Sequence, residues 1–561
     1  MTDSRATLPT DAHPALSPDQ ATRLAAYGVP IHVKSGDVLF RSGEVSPDLI
    51  LIHEGFVNVI QPATLLVPEA VIDTFGPSEF VGELNMLTGQ RIFLEGRVSM
   101  GGTVTRIDAA AFRRVMAEDP ELSDLLLRAF ISRRRFLSGG QGARGVEIVG
   151  SSRDARAMKL RTYAARQRIA HTWIDVDSED GDKVLRMLDI DSDGLPMVLL
   201  PDATLKRAST GDLALHLGLT YLPQPDEHVV DLVVIGGGPS GLAAAVYGAS
   251  EGLDTVLLEA ESLGGQAAAS SRIENYLGFP SGLSGEDLTA RAMVQAEKFG
   301  AHLYSPCKVT GLRSSASFLD IALSDGGSLK SKAVIIATGA RYRSLPISNW
   351  AEFEGAGIYY AATEIEARDC GTNSVTVVGG ANSSGQAALY LASRGAQVTV
   401  AARRADLRET MSSYLVDRLE VHPSVHIRTS TEVTGLEGGR WLERVELADR
   451  VTGATEWQES HGLFCFIGAE PATAWLDGAA DGLVALSNDA FVLTDSDLPE
   501  SSVGSFRDAG RAPLPFETSW PGVFAVGDVR QGSMKRVSGA VGEGASAVRS
   551  VHVALAALRP R

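Results

Sequence analysis

The residues that could do chemistry stand first at Val233–Gly241, which reads V-V-I-G-G-G-P-S-G. Leu232 to Ile235 suit a short buried strand, and Gly236, Gly238 and Gly241 then form G-x-G-x-x-G as an apolar helical run begins at Leu242. The first glycine permits a tight turn, the second lets backbone approach a pyrophosphate, and the third lets helix pack on strand. The helix N-terminus, opened by Pro239 and Ser240, supplies partial positive charge to the same phosphates. A second strand, Thr255 to Leu258, ends in Glu259, eighteen positions past Gly241, where a ribose hydroxyl needs an acceptor. The pattern then recurs, with Val375 to Val378 as the strand and Gly379-x-Ala381-Asn382-Ser383-Ser384 as a loop in which the next smallest residues replace two glycines. Twenty-three positions past Gly236 stands Glu259; twenty-three past Gly379 stands Ala402, followed by Arg403 and Arg404. Cations in place of the acid favour a free 2′-phosphate, so the second loop is expected to prefer NADPH over NADH.

The elements that must position these loops follow from the pattern of the chain. Ile31 to Val33, Asp37 to Phe40, Leu49 to His53, Phe56 to Ile60 and the alternating Thr103 to Ile107 predict short strands of a small β-roll. Helical periodicity replaces them at Ala109–Ala117 and Ser123–Phe136, which ends in the basic run Arg133-Arg134-Arg135. Gly139 to Gly145 has the composition of a linker. Beyond it a β-α-β, β-β-α order is predicted over Val146–Gly150, Asp154–Arg168, Thr172–Val176, Met197–Leu200, a turn into Leu205, and Asp212–Leu217, with Pro196 opening the third strand. Pro223 to Asp226 links this module to the first glycine loop.

Several stretches resemble known families. From Asp231 onward the chain resembles the thioredoxin-reductase family of FAD- and NADPH-dependent proteins. Gly264-Gly265-Gln266 and Ile273-Glu274-Asn275-Tyr276 match the loops that family places beside the isoalloxazine ring, with Gln266 and Asn275 as polar contacts. Ala337-Thr338-Gly339 matches its crossover out of the FAD domain, and Gly522 to Asp528 matches its second FAD motif, Gly527 preceding an aspartate that receives the ribityl hydroxyl. Arg408 matches a third arginine of its NADPH pattern. The resemblance implies hydride passing from nicotinamide to flavin, and a homodimer. One departure is chemical: where the family carries two thiols in C-A-T-C, this chain reads Ala361-Ala362-Thr363-Glu364. No catalytic residue is therefore assigned, the flavin being the reactive group, and the chain is expected not to run the usual dithiol relay.

Lys34 to Phe40, Glu54 to Val57 and Phe80 to Leu84 resemble a cyclic nucleotide-binding domain of the catabolite-activator type. That resemblance implies an effector site in which Gly82 and Glu83 cap the phosphate-binding cassette and Arg91 neutralises the cyclic phosphate. Ile92 and Phe93, where the family has small residues, and Gln90, where it has a proline, depart from the pattern. Residues 146–219 resemble the thioredoxin or glutaredoxin fold, whose redox dithiol would fall between Ser151 and Ala157. No cysteine is there, so the module is expected to be redox-silent and to serve contact between domains or docking of a partner.

The expected architecture is thus α/β and multidomain. It comprises a β-roll with C-terminal helices (1–138), a cysteine-free thioredoxin-like module (146–220), and two Rossmann-like domains. The FAD domain (230–345 and 469–561) is interrupted by the NADPH domain (346–468). The 561 residues carry a formal charge of −18, which argues against broad nucleic-acid or anionic-membrane binding. No apolar run approaches a spanning helix and Met1 to Gln20 has no basic-then-apolar leader, so a cytoplasmic location is expected. Cys307, Cys370 and Cys465 lie too far apart for a disulfide framework or a C-x-x-C metal pair, and no metal is expected. The electron acceptor stays open among dioxygen, a quinone, a one-electron carrier protein and an external disulfide. Two other readings stand beside turnover: a flavin or nucleotide redox sensor, and disulfide reduction by another route.

Overall fold

In the N-terminal region two four-stranded antiparallel sheets face one core. One runs in the order Val29–Val33, Gly102–Ile107, Leu49–Ile52, Phe80–Val81; the other runs Val38–Phe40, Glu95–Met100, Phe56–Gln61, Ala70–Phe75. Alternate residues such as Ile50, Ile52, Val57, Val98 and Val104 point inward and fill the space between them. The computed structural model describes residues 10–558 apart from 46–47, 83–85, 87–90, 139–145, 189–191, 223–227, 269, 271–272, 274–275, 316–317, 355, 361, 363–365, 368–369, 477–483, 503, 505 and 507–509. Helix Ala109–Glu118 is capped by Asp108, whose side chain accepts from the Ala111 N–H, and helix Pro120–Ser138 follows it. Arg133, read from sequence only as part of a basic run, is buried. It donates to the carbonyls of Ala12, Phe80 and Gly82 at 2.8, 2.9 and 2.9 Å and lies over the rings of Phe75, Phe80 and Phe130.

Residues 146–220 build a second sheet in the order His171–Asp175, Val146–Gly150, Met197–Leu199, Thr204–Leu205. The first pair is parallel and the other two are antiparallel. Helices Ala155–Arg166 and Thr210–Leu217 cover one face, burying Leu160, Tyr163, Leu213 and Leu217 against Ile148 and Val198. The Leu195–Pro196 bond is cis. The sequence pattern passed over helix Glu179–Leu188 here, and strands Ala70–Phe75 and Glu95–Met100 in the preceding region.

The chain divides into two units: Met1–Ile235 with Leu242–Leu263 and Ala292–Val334, and Gly236–Gly241 with Gly264–Arg291 and Ile335–Arg561. In the first unit, parallel strands His302–Tyr304, Thr255–Leu258 and Val229–Ile235 lie side by side, and Ile235 pairs with Leu258. In the second unit a five-stranded parallel sheet runs Ile358–Tyr359, Leu463–Cys465, Ser374–Val378, Gln397–Ala401, Val425–Arg428. Its central strands are buried along their length: Val375, Val377, Val398 and Val400 fill the core, and the intervening Thr376 and Thr399 are buried with hydrogen bonds to Ser460 and Gln458. A three-stranded antiparallel sheet, Thr431–Gly438, Leu442–Asp449 and Thr455–Glu459, is packed beside it.

Candidate functional site

The loop Gly236–Gly241 is shaped by close backbone approach. A Cβ on Gly236, whose φ is +110°, would stand 2.3 Å from the Ala337 carbonyl oxygen, and one on Gly241 would stand 1.8 Å from the Gly236 oxygen. Neither position tolerates a side chain. Gly238 differs: a Cβ there meets nothing within 4 Å, so its backbone faces open space, as the residue nearest a pyrophosphate must. Helix Pro239–Ser250 starts at once, with proline in the first position where no N–H bond is lost.

Other predicted residues converge on the same loop. The Gly264 N–H donates to the Gly237 carbonyl at 2.8 Å, and a Cβ on Gly265 would stand 2.9 Å from Gly238 Cα. The Gln266 side-chain amide donates to the Ala340 carbonyl, next to Thr338 and Gly339. Thr338 Oγ1 donates to the Ala472 carbonyl at 2.9 Å, and Gly339 has a φ of +68°. The turn at Gly527, with φ +73°, places a would-be Cβ 2.5 Å from Ser240 Oγ. The Gly527 N–H is held by Glu543 at 2.7 Å, and Glu543 also pairs with Arg530. Beside it, burial pushes the Asp528 carboxyl up, and no described residue donates a hydrogen bond to it. A half-buried acid in that condition is suited to a ligand hydroxyl. Asn275 lies outside the described residues, as do Ala361 and Glu364.

Glu259 follows strand Thr255–Leu258 in the first unit. Its backbone is fixed by its own N–H to the Tyr304 carbonyl at 2.9 Å and by the Cys307 N–H to its carbonyl at 2.6 Å. Its carboxylate accepts from the Glu261 N–H at 2.9 Å.

The second loop repeats the geometry with other side chains. Gly379 has a φ of +139°, and a Cβ there would stand 2.4 Å from the Phe466 oxygen. Helix Asn382–Ser393 begins after Ala381, which offers no side-chain cap, so the first N–H groups are left for a ligand. Asn382 Oδ1 accepts from the Ser412 N–H at 2.7 Å, buried Ser384 donates to the Ala381 carbonyl at 2.6 Å, and Ser383 is exposed. Ala402 is buried, 3.7 Å from a would-be Cβ on Gly380, so its position faces the loop. Arg404 pairs with Glu409 at 2.6 Å, and Arg408 forks to Asp417 and Glu420, both at 2.9 Å. The Arg403 guanidinium has no hydrogen-bond or ion-pair partner among the described residues. Sequence spacing did not find Arg450, whose Nη1 reaches the Arg403 carbonyl at 3.4 Å; it comes from the end of a strand some fifty residues away, and nothing local marks it.

Residues 230–544 match the pyridine nucleotide-disulphide oxidoreductase family. The chain belongs to that family. Among curated relatives, thioredoxin reductase of Peptoclostridium litorale is 30% identical over 335 residues, covering 57% of this chain and 95% of the relative. That of Streptomyces clavuligerus is 30% identical over 331 residues, covering 59% and 95%. Among solved structures, Lactococcus lactis thioredoxin reductase is 28% identical, covers 58% of this chain and 99% of its own, and superposes with a TM-score of 0.51. Residues 30–119 match the cyclic nucleotide-binding domain family, so this oxidoreductase carries a cyclic-nucleotide-binding-like domain ahead of its family region.

Its three cysteines are buried and none forms a disulfide. Cys370 packs beside Gly462, with Sγ 3.8 Å from the His461 carbonyl oxygen; burial pushes the Cys307 and Cys465 thiols up to about 12. Among the described residues no group of metal-ligating side chains occurs, and no helix is long and apolar enough to cross a membrane. In the N-terminal domain, Arg91 donates from Nη1 to the Gly43 carbonyl at 2.7 Å and from its backbone to the Leu217 carbonyl at 3.2 Å. Ile92 fills the β-roll core, and Phe93 packs on the core of the 146–220 module. A Cβ on Gly82 would stand 2.7 Å from Leu49 Cδ1, while Glu83 lies outside the described residues.

Proposed function

We propose that the protein is an NADPH-oxidising FAD oxidoreductase that delivers electrons to an acceptor other than an internal dithiol. The observation that carries this reading is the pair of glycine loops of like geometry with opposite charge after the second strand: Glu259 in one, and in the other Ala402 and Arg403, which has no side-chain partner among the described residues. In this reading Gly236, Gly238 and the start of helix Pro239–Ser250 hold the FAD pyrophosphate, Glu259 accepts from a ribose hydroxyl, and Asp528 accepts from the ribityl chain. The Asn382–Ser393 N-terminus holds the NADPH pyrophosphate, and Arg403, with Arg404 and Arg450 near it, takes the 2′-phosphate. The flavin, once bound, supplies the site that accepts hydride from the nicotinamide. What this chain adds is alignment and charge, since its thiols are buried, and Ala361 and Glu364 stand at the dithiol positions.

The module 146–220 is read as thioredoxin-like without redox function, and the protein as a cytoplasmic homodimer. Anaerobic titration of the purified protein with NADPH, followed by a panel of disulfides, quinones, dioxygen and carrier proteins, tests the reading. Bleaching of bound flavin and turnover with one acceptor class are expected. Failure to take up FAD overturns the reading, and one reduction without turnover by any acceptor points to a sensor instead. The family match of residues 30–119 favours a second role, an effector site for a cyclic nucleotide through Gly82, Glu83 and Arg91. Calorimetry with cyclic mononucleotides on the unmodified protein and on Arg91→Ala tests it; absence of heat in both assigns the domain to packing.

A further inference from the structure

Residues 304–307 lie between Glu259 and the 146–220 module, and the module grips them with buried polar groups. Tyr163, 3% exposed on helix Ala155–Arg166, donates its hydroxyl to the Ser305 carbonyl at 2.6 Å. Gln167, the C-cap of the same helix, donates to Ser305 Oγ at 3.1 Å, and that hydroxyl donates to the Glu261 carbonyl at 3.0 Å. The Ser305 N–H donates to the Leu219 carbonyl at 2.9 Å, and Thr220 Oγ1 to the Pro306 carbonyl at 3.0 Å. Arg166 reaches Ser262 Oγ at 3.2 Å, and Tyr221 meets the ring of Tyr304 edge-on at 5.3 Å.

These bonds enclose one residue. Tyr304 and Cys307, at the two ends of the gripped segment, make the backbone hydrogen bonds to Glu259, while Glu261, whose N–H holds the Glu259 carboxylate, is tied to the same Ser305. A carboxylate meets a ribose hydroxyl at hydrogen-bond distance only if its backbone is held, and supporting bonds that water cannot replace hold it best. We propose that the module acts as a brace, in which Tyr163 and Gln167 are positioning residues that set Glu259 for the cofactor ribose through Ser305. The proposal rests on the reading of Glu259 as the ribose acceptor of FAD. It also gives a redox-silent module a task in the oxidoreductase: its helix Ala155–Arg166 supports a cofactor acid instead of presenting a dithiol.

The test uses the full chain as apoprotein, with FAD affinity read by flavin fluorescence and NADP+ affinity by calorimetry. Tyr163→Phe removes one hydroxyl and keeps the ring, and is expected to weaken FAD roughly fivefold while NADP+ affinity stays within about twofold. Gln167→Leu is the second variant, with the same direction expected. Tyr163→Phe combined with Glu259→Ala should lose no more FAD affinity than Glu259→Ala alone, because a residue acting through Glu259 has nothing left to position. Unchanged FAD affinity in both single variants, an independent loss in the combined one, or equal weakening of FAD and NADP+ overturns the brace. Glu259→Ala without effect on FAD overturns the reading of Glu259, and the brace with it.

Discussion

The two glycine loops share a strand, a turn with positive φ and a helix N-terminus, yet they differ in how tightly turn and helix approach. In the first, a Cβ at position 241 would stand 1.8 Å from a carbonyl oxygen, so helix and turn are in direct contact. In the second, Ser384 occupies the corresponding position as a buried side chain, and its hydroxyl is absorbed by the Ala381 carbonyl at 2.6 Å. The third glycine is therefore a packing requirement set by local spacing and not a fixed condition of the motif. After the second strand the difference becomes electrostatic. In the proposed reading Glu259 accepts from a ribose hydroxyl and would repel a 2′-phosphate, while Ala402 removes the acid and Arg403 has a guanidinium without a partner among the described residues.

The comparison breaks most visibly at its tightest point. Gly241→Ala is expected to abolish FAD retention, whereas Ser384→Gly should leave FAD retention and NADPH reduction near the unmodified levels; flavin absorbance after gel filtration separates the two. Equal tolerance at both positions would show that the first loop relaxes more easily than its spacing implies. Charge comes next. Glu259→Ala loses a charge-assisted hydrogen bond of roughly 1.5–3 kcal/mol, which corresponds to about tenfold or more in the FAD dissociation constant. Arg403→Ala should raise KM for NADPH on the order of tenfold and leave KM for NADH alone. Equal use of the two nucleotides by the unmodified protein would remove the electrostatic half of the comparison. Arg404→Ala should have a smaller effect than Arg403→Ala, because Arg404 is already shared with Glu409.

The smaller effects sharpen it. Arg408 is exposed and committed to Asp417 and Glu420, so Arg408→Ala is expected to change KM for NADPH by no more than about twofold. The thiols should be silent. Because burial raises Cys307 and Cys465 to about 12, their thiolate fraction is lost as pH falls below that value, to roughly one in a thousand at pH 9. Alkylation of the native protein at pH 8 to 9 should leave both unmodified by mass spectrometry. Replacement of all three cysteines by serine should leave NADPH-to-flavin reduction intact.

Local pattern made much of this protein legible. The strands Val146–Gly150, Thr255–Leu258 and Ser374–Val378 are short runs dominated by Val, Ile and Leu, and both glycine loops follow their strands without interruption. The missing C-x-x-C and the absence of an acid at Ala402 are likewise facts of order along the chain. What escaped has a physical cause. Strand Ala70–Phe75 alternates poorly because most of its residues are partly exposed, and Glu95–Met100 opens with charge and glycine, so neither carried a period-two signal. Arg133 reads in sequence only as one of three cations in a basic run, and its three carbonyls and three aromatic rings are brought around it by strands and helix far apart in sequence.

Sequence by itself determined the order of the elements, the two glycine loops, the charge after each and the absence of the dithiol, because each depends on residues a few positions apart. Only the tertiary structure decided which arginine is uncommitted, since the partners of Arg404 and Arg408 come from folding residues 404–420 back on themselves. It also decided that Ile92 fills one core while Phe93 packs on another, and that a module without cysteines closes around Ser305 beside Glu259. The last of these joins residues more than a hundred positions apart, as Tyr163 and Ser305 are, where no spacing or periodicity can carry the signal.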